Sequence, residues 1–310
     1  MRLATICTEP TALPCLDALR QSHQLVGLGI PQLADDTIQA HLGFSQHTGI
    51  PLTRFARENL AESLGAWFGA IQPELLLVFG FPWRLPMAPV AALPRGGFNV
   101  HYGALPQFRG PQPLFWAVRE QSAAVQVTIH ALDEHLDHGP IAIKRMVALP
   151  PTDTLGLAIS RLAPTATEAV VELLDRLAQD TLSLESQPGE AARYWPRPVE
   201  SDLTIDWQRD SAASIAALVR AANPFHGGAL THYRGQQLRI WQVSTGKLPG
   251  PCPPPGTIIA ANAQQGLATV SQDGHWIRLE VVSIREGLFT GDELVARAGL
   301  QPGGKLGSLN

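Results

Sequence analysis

Two rhythms of apolar and polar positions alternate along the first half of the chain. Short apolar runs at residues 3–7, 24–30, 74–79, 97–100 and 125–130 have the length of buried strands, and segments rich in helix formers at 12–20, 58–71 and 112–120 fall between several of them. This order predicts a mostly parallel sheet with helices on both faces, whose ligands bind beyond the carboxyl ends of the strands. From 152 to 177 the spacing becomes helical, with Leu155, Ile159, Leu162, Ala166, Val170, Leu173 and Leu177 recurring every three or four residues. The small and charged stretch 186–192 breaks that pattern, and a link through Tyr194-Trp195-Pro196-Arg197-Pro198 leads into a different texture. One helix at 211–222 precedes short strands at 229–233, 238–243, 256–260, 268–271 and 276–282, punctuated by turns such as Arg234-Gly235 and Asp273-Gly274. The expected architecture is a Rossmann-like α/β domain over 1–189, a linker over 190–204 and a small β-barrel domain over 205–310.

Composition narrows the class. With 310 residues, 45% apolar and 16% charged, the chain reads as a soluble globular protein, and no run approaches the roughly 18 apolar residues of a membrane span. The segment 1–7 reads as a first strand rather than a secretion signal, so the expected compartment is the cytoplasm. Cys7, Cys15 and Cys252 form no C-x-x-C pair and lie far from any histidine cluster of zinc-like spacing, so neither a disulfide framework nor a metal site is expected. A balance of 23 basic against 27 acidic residues, a net charge of −4, lacks the excess of a dedicated nucleic-acid binder. The turn after the first strand, 8–12, holds no glycine, which disfavours a dinucleotide-dependent oxidoreductase.

The chemistry concentrates in Phe98-Asn99-Val100-His101-Tyr102-Gly103-Ala104-Leu105-Pro106-Gln107-Phe108-Arg109-Gly110-Pro111, followed by Val127-Thr128-Ile129-His130 and Leu136-Asp137-His138-Gly139-Pro140-Ile141. Asn99 and His101 share one face of a strand end because side chains alternate with period two. Asp137 follows the next strand, and in a parallel arrangement it emerges at the same sheet edge. An amide, an imidazole and a carboxylate at one point suit acyl transfer to an amine, which needs no serine or cysteine nucleophile. Asn99 would donate to the developing oxyanion, His101 would donate to it or take a proton, and Asp137 would tune the imidazole or accept the amine proton.

Asn-x-His, Leu-Pro-x-x-Arg-Gly, Val-Thr-Ile-His and Leu-Asp-x-Gly-Pro-Ile, in this order and spacing, resemble the folate-dependent formyltransferases, which act on methionyl-tRNA, glycinamide ribonucleotide or nucleotide sugars. The resemblance continues through Arg197-Pro198, Ile205-Asp206-Trp207, the segment 218–222 and Leu238-Arg239-Ile240-Trp241 to the closing 291–306, and its pattern is most like the arabinosamine-type sugar formyltransferase domain. It implies a formyltransferase catalytic domain followed by an OB-like barrel. It also implies 10-formyltetrahydrofolate as donor, released as tetrahydrofolate, and Asn99, His101 and Asp137 in the three catalytic positions. Two loops would hold the pterin largely through backbone groups: Phe81, Trp83, Arg84 and Leu85 in one, Asp133, Glu134, His135 and Leu136 in the other. Tyr102 and Arg109 would adjoin the acceptor.

Departures from the family pattern bear on that acceptor. Relatives that act on tRNA carry a basic insertion after the second strand, whereas no Lys or Arg stands between Arg20 and Arg54 here. Residues 201–310 hold 9 basic and 8 acidic side chains, too even a balance for a phosphate-gripping surface. The sequence therefore favours a small amine acceptor, such as a nucleotide-linked amino sugar, over methionyl-tRNA. A formyltetrahydrofolate hydrolase and a non-catalytic folate-binding protein are the further alternatives. His138 replaces a usually small residue and is expected to face solvent, and the oligomeric state has no sequence signature.

Overall fold

The computed structural model describes residues 1–9, 12–32 and 38–307. Pro10 and Thr11 of the first turn, and 33–37 of the segment that lacks Lys and Arg, lie outside them. The chain separates into two compact units. One comprises Met1–Pro113, Ala124–Ala148 and Ile159–Pro196; the other comprises Leu114–Ala123, Leu149–Ala158 and the chain from Arg197 onward.

In the first unit a seven-stranded sheet is built from β1 (Arg2–Cys7), β2 (Gln24–Pro31), β3 (Leu52–Phe55), β4 (Leu75–Phe79), β5 (Gly97–His101), β6 (Ala124–Ala131) and β7 (Ile141–Ala148), in the order β3-β2-β1-β4-β5-β6-β7. The first five strands are parallel. Helices α1 (Leu13–Leu19), α2 (Ile38–Thr48), α3 (Leu60–Ile71), α4 (Met87–Ala91) and most of the 24-residue α6 (Leu155–Ala178) belong to this unit, whereas α5 (Pro113–Arg119) from Leu114 onward, which follows β5 in the chain, and the first turn of α6 fall in the other. Ala4 and Ile6 of β1 point to one face, where Leu64, Trp67 and Phe68 of α3, Val90 of α4 and Phe55 close a core. Leu3, Thr5 and Cys7 point the other way and are equally buried. The expected helices on both faces follow, with the α1 and α6 side chains Cys15 and Thr167 meeting in the second layer. Burial pushes the Cys15 thiol up to about 11 against that contact, so it behaves as a small apolar side chain.

The strands β3 and β7 and the helix α4 add to the expected order, and two further features depart from it. Residues 38–48, part of the segment without Lys or Arg, form the helix α2, which was not among the expected elements. More consequential is β6, which runs antiparallel to β5, with Asn99 opposite His130 and His101 opposite Thr128. Its carboxyl end therefore returns to the level of Phe98, and the segment leading to β7 must fold back to approach His101.

The second unit holds α7 (Glu200–Leu203), α8 (Ala212–Ala222) and an antiparallel sheet of β8 (Ala229–Tyr233), β9 (Gln236–Lys247), β10 (Ile258–Asn262), β11 (Gly266–Val270), β12 (His275–Ile284) and β13 (Gly287–Thr290), with α9 (Gly291–Ala298) following. The strands run β10-β11-β12-β9-β8, and β13 pairs with β12. Register shifts between the long strands β9 and β12 bend the sheet. Ser211 caps α8 by accepting from the Ser214 N–H.

Candidate active site

Residues opposite one another in an antiparallel pair point to the same face. The pairing of β5 with β6 therefore places Asn99, His101, Thr128 and His130 together, while Phe98, Val100, Val127 and Ile129 fill the opposite face. His130 extends the group inferred from the sequence. Its Nδ1 lies 2.9 Å from the Ala131 carbonyl oxygen, which can only accept, so Nδ1 carries a proton and, in the neutral ring, Nε2 has the lone pair. The Asn99 Nδ2, 3.1 Å away, donates to that lone pair and keeps its second N–H.

His101 is fixed by the same logic. Its Nε2 donates to the Phe108 carbonyl oxygen at 2.7 Å, so in the neutral ring the lone pair sits on Nδ1. Gly103 permits this approach, since a Cβ there would stand 2.8 Å from Nε2 and 2.9 Å from the Phe108 oxygen. Thr128 steadies the same turn by donating to the Gly103 carbonyl at 2.7 Å.

Asp137 reaches the two imidazoles over a tightly folded loop. Its Oδ1 lies 3.5 Å from both His101 Nδ1 and His130 Nε2, and its Oδ2 accepts from the Gly110 N–H at 2.9 Å. The fold-back has two backbone requirements: Asp137 takes a φ of 58°, and Gly139 passes so close to Ala131 that a Cβ would lie 1.8 Å from its carbonyl oxygen. Burial works against ionisation of Asp137, yet the neighbouring His101 and His130 and the Gly110 N–H outweigh it and hold the carboxyl well below the usual range. For His101 burial is the largest influence and lowers the pKa; the Asp137 charge and the Phe108 carbonyl oppose that only partly. At neutral pH the site thus presents a neutral imidazole whose Nδ1 lone pair faces a carboxylate, an arrangement suited to receiving a proton.

Arg109 is buried, and its Nη1 donates to His138 Nε2 at 2.7 Å. His138 is exposed, as expected, but it is also tied to this guanidinium. Tyr102 is half-buried beside His101.

Against this geometry, residues 28–174 match the family model described as formyl transferase and 199–288 match the formyl transferase C-terminal domain. A methionyl-tRNA formyltransferase of Citrifermentans bemidjiense is 30% identical over 262 residues, 84% of this chain and 80% of that protein. The chain belongs to the formyl transferase family. Another family member, the methionyl-tRNA formyltransferase of Aromatoleum aromaticum, is 37% identical over 65% of this chain. That match spans only 62% of the relative's length. Among solved structures, HypX from Aquifex aeolicus in complex with tetrahydrofolic acid superposes with a TM-score of 0.66 at 15% identity, covering 96% of this chain and 47% of that one. An N-formyltransferase from Helicobacter canadensis, in complex with folinic acid and dTDP-3-aminofucose, gives 0.62 at 15% identity, covering 89% and 97%. At these identities the structures establish a shared fold.

The two loops assigned to the donor in this formyltransferase-family chain border one core. Phe81 and Trp83, in edge contact at 5.2 Å, and Leu132 all pack on the cluster under β1 and β4. Leu85 is buried and Arg84 exposed. In the second loop Asp133 accepts from the His135 N–H at 2.8 Å, and Glu134, His135 and Leu136 are exposed. His130 had a readable signal, the alternation Val125-Gln126-Val127-Thr128-Ile129-His130, which sets it on the face of Thr128.

Proposed function

We propose that the chain transfers a formyl group from 10-formyltetrahydrofolate to an amine, with Asn99, His101 and Asp137 as the catalytic residues. The observation that carries this reading is the convergence of Asp137 Oδ1, at 3.5 Å, on the His101 Nδ1 and His130 Nε2 beside the Asn99 amide. The donor supplies the formyl carbon; the residues 81–85 and 133–136 would hold it through backbone groups and apolar contact. Asn99 offers an N–H to the oxygen that gains charge as an amine adds. His101 Nδ1 takes the amine proton, the Asp137 carboxylate stabilises the resulting imidazolium, and the ring would pass that proton to the donor nitrogen as its bond to the formyl carbon breaks and tetrahydrofolate leaves. His130, its Nε2 occupied by Asn99, orients that amide.

Two acceptors compete. The names of the sequence relatives support methionyl-tRNA, and they weigh against the small amine favoured from the sequence. A small amine keeps the support of the stretch between Arg20 and Arg54 with no Lys or Arg and of the even charge of residues 201–310. Purified protein with 10-formyltetrahydrofolate should release tetrahydrofolate only when the right acceptor is added, so methionyl-tRNA and a panel of nucleotide-linked amino sugars are compared directly. Release without any amine would replace this reading with hydrolysis, and no release with any acceptor would refute formyl transfer.

A further inference from the structure

The Arg109 guanidinium is engaged within the protein. Besides His138, it meets Gln187, whose Oε1 accepts from Nε at 3.2 Å and Nη2 at 2.7 Å. The other end of the same amide returns to the loop that carries the carboxylate: Gln187 Nε2 donates to the carbonyl oxygens of Asp137 at 2.9 Å and Gly139 at 2.8 Å. These partners fix the amide's orientation, since two carbonyls require the NH2 group and a guanidinium requires the oxygen. The base of this bridge is anchored as well. The Arg109 N–H donates to the Arg193 carbonyl at 3.1 Å, the Arg109 carbonyl accepts from Trp195 at 2.8 Å, and the next N–H, that of Gly110, holds Asp137 Oδ2.

Asp137 needs such support. It adopts a left-handed backbone conformation that L-residues take uncommonly, and it lies in a segment that folds back over the β5–β6 face. We propose that Gln187 is a positioning residue: braced on Arg109, it grips the backbone on both sides of residue 138 and keeps Asp137 Oδ1 beside His101 and His130. Arg109 then serves the carboxylate loop instead of binding the acceptor.

The kinetic arm of the test rests on the formyl-transfer reading; the spectroscopic arm does not. In the full chain, Gln187→Met removes every polar contact at nearly the same volume, and Gln187→Asn keeps the amide but is one methylene too short to span Arg109 and the loop. The imidazole of His101 is titrated by NMR in the parent, both variants and Asp137→Asn. Because the Asp137 charge pulls the His101 midpoint up against burial, releasing the loop should move the midpoint down towards that of Asp137→Asn. In parallel kcat should fall about 10- to 100-fold, the loss expected of a reacting group misplaced by about 1 Å, with the donor KM within about threefold of the parent. A folded Gln187→Met or Gln187→Asn protein whose His101 titration coincides with the parent's overturns the proposal. An inactive parent would strike the formyl-transfer reading and leave the titration to decide the role of Gln187.

Discussion

Replacing Asp137 by asparagine should separate chemistry from folding. The His101 Nε2–H is committed to the Phe108 carbonyl, so a proton taken by this ring goes to Nδ1, which faces Asp137 Oδ1 at 3.5 Å. Coulomb attraction over that distance, in an effective dielectric of about 20, is roughly 5 kcal/mol. The asparagine side chain offers an amide oxygen in place of the charge and recovers part of this. A net loss of about 3–4 kcal/mol in the proton-transfer step corresponds to kcat lower by about 10² to 10³. The fold should lose little at neutral pH. The amide oxygen can still accept from Gly110, and the NH2 group can donate towards the imidazole lone pairs, so the change in unfolding free energy is about 1–2 kcal/mol at most. Acidification should widen the difference. Burial already lowers the His101 pKa in the folded protein, so stability is present above the unfolded value of about 6.5 and is lost as pH falls below it. Without the carboxylate that pKa drops further, and the variant should lose stability more steeply than the parent between about pH 6.5 and 4. The assays are steady-state kinetics with a saturating acceptor and urea unfolding across this pH range. Turnover within threefold of the parent would show that Asp137 does not support the imidazolium, and parallel stability profiles would show that it does not face His101 in solution.

Three further outcomes follow from the same contacts. Asn99→Ala removes an oxyanion donor and leaves His130 Nε2 without its 3.1 Å partner, so kcat should fall about 10² to 10³ with roughly 1 kcal/mol of stability; unaltered kcat in a folded variant would remove Asn99 from the chemistry. Gly139→Ala sets a Cβ 1.8 Å from the Ala131 carbonyl oxygen, where neither atom is at the end of a flexible side chain, so the loop must shift; both Tm and kcat should drop, and normal values of both would refute the tight fold-back. In the parent, the depressed Asp137 carboxyl contributes stability above the unfolded value of about 3.9 that disappears as pH falls towards its folded value; urea titrations of the parent and Asp137→Asn should therefore converge below about pH 4, and a gap that keeps widening there would contradict the depressed pKa.

Four of the five parallel strands were legible because they are largely buried on both faces and read as apolar runs: Leu75-Leu76-Leu77-Val78-Phe79 admits little else, whereas Leu52, Thr53 and Arg54 of the edge strand β3 are partly or fully exposed and gave no such run. The direction of β6 was not. Alternation records which side chains share a face but is identical for a strand run either way, so the sequence brought Asn99, His101 and Asp137 to one place by an incorrect route. The strand β7 escaped notice because Lys144, Arg145 and Met146 are exposed at the sheet edge and interrupt its apolar pattern. Gln187 lies in a stretch of small and charged residues whose sequence marks only the end of a helix; its partners are 48 to 78 residues away, and no local spacing encodes them.

That error of route is informative about the site itself. Had β6 been parallel, Asp137 would have emerged at the carboxyl edge as an ordinary loop residue, needing neither a left-handed backbone nor a glycine pressed against Ala131. Because β6 is antiparallel, the carboxylate must be returned over the sheet face, and the backbone that returns it is strained and must be held. The Gly139 contact, the Gly110 N–H and the Gln187 amide supply that restraint from three sides. The carboxylate contributes charge only where these hold it, so substitutions at Gly139 and Gln187 should resemble a weakened Asp137 although neither side chain faces the reacting atoms.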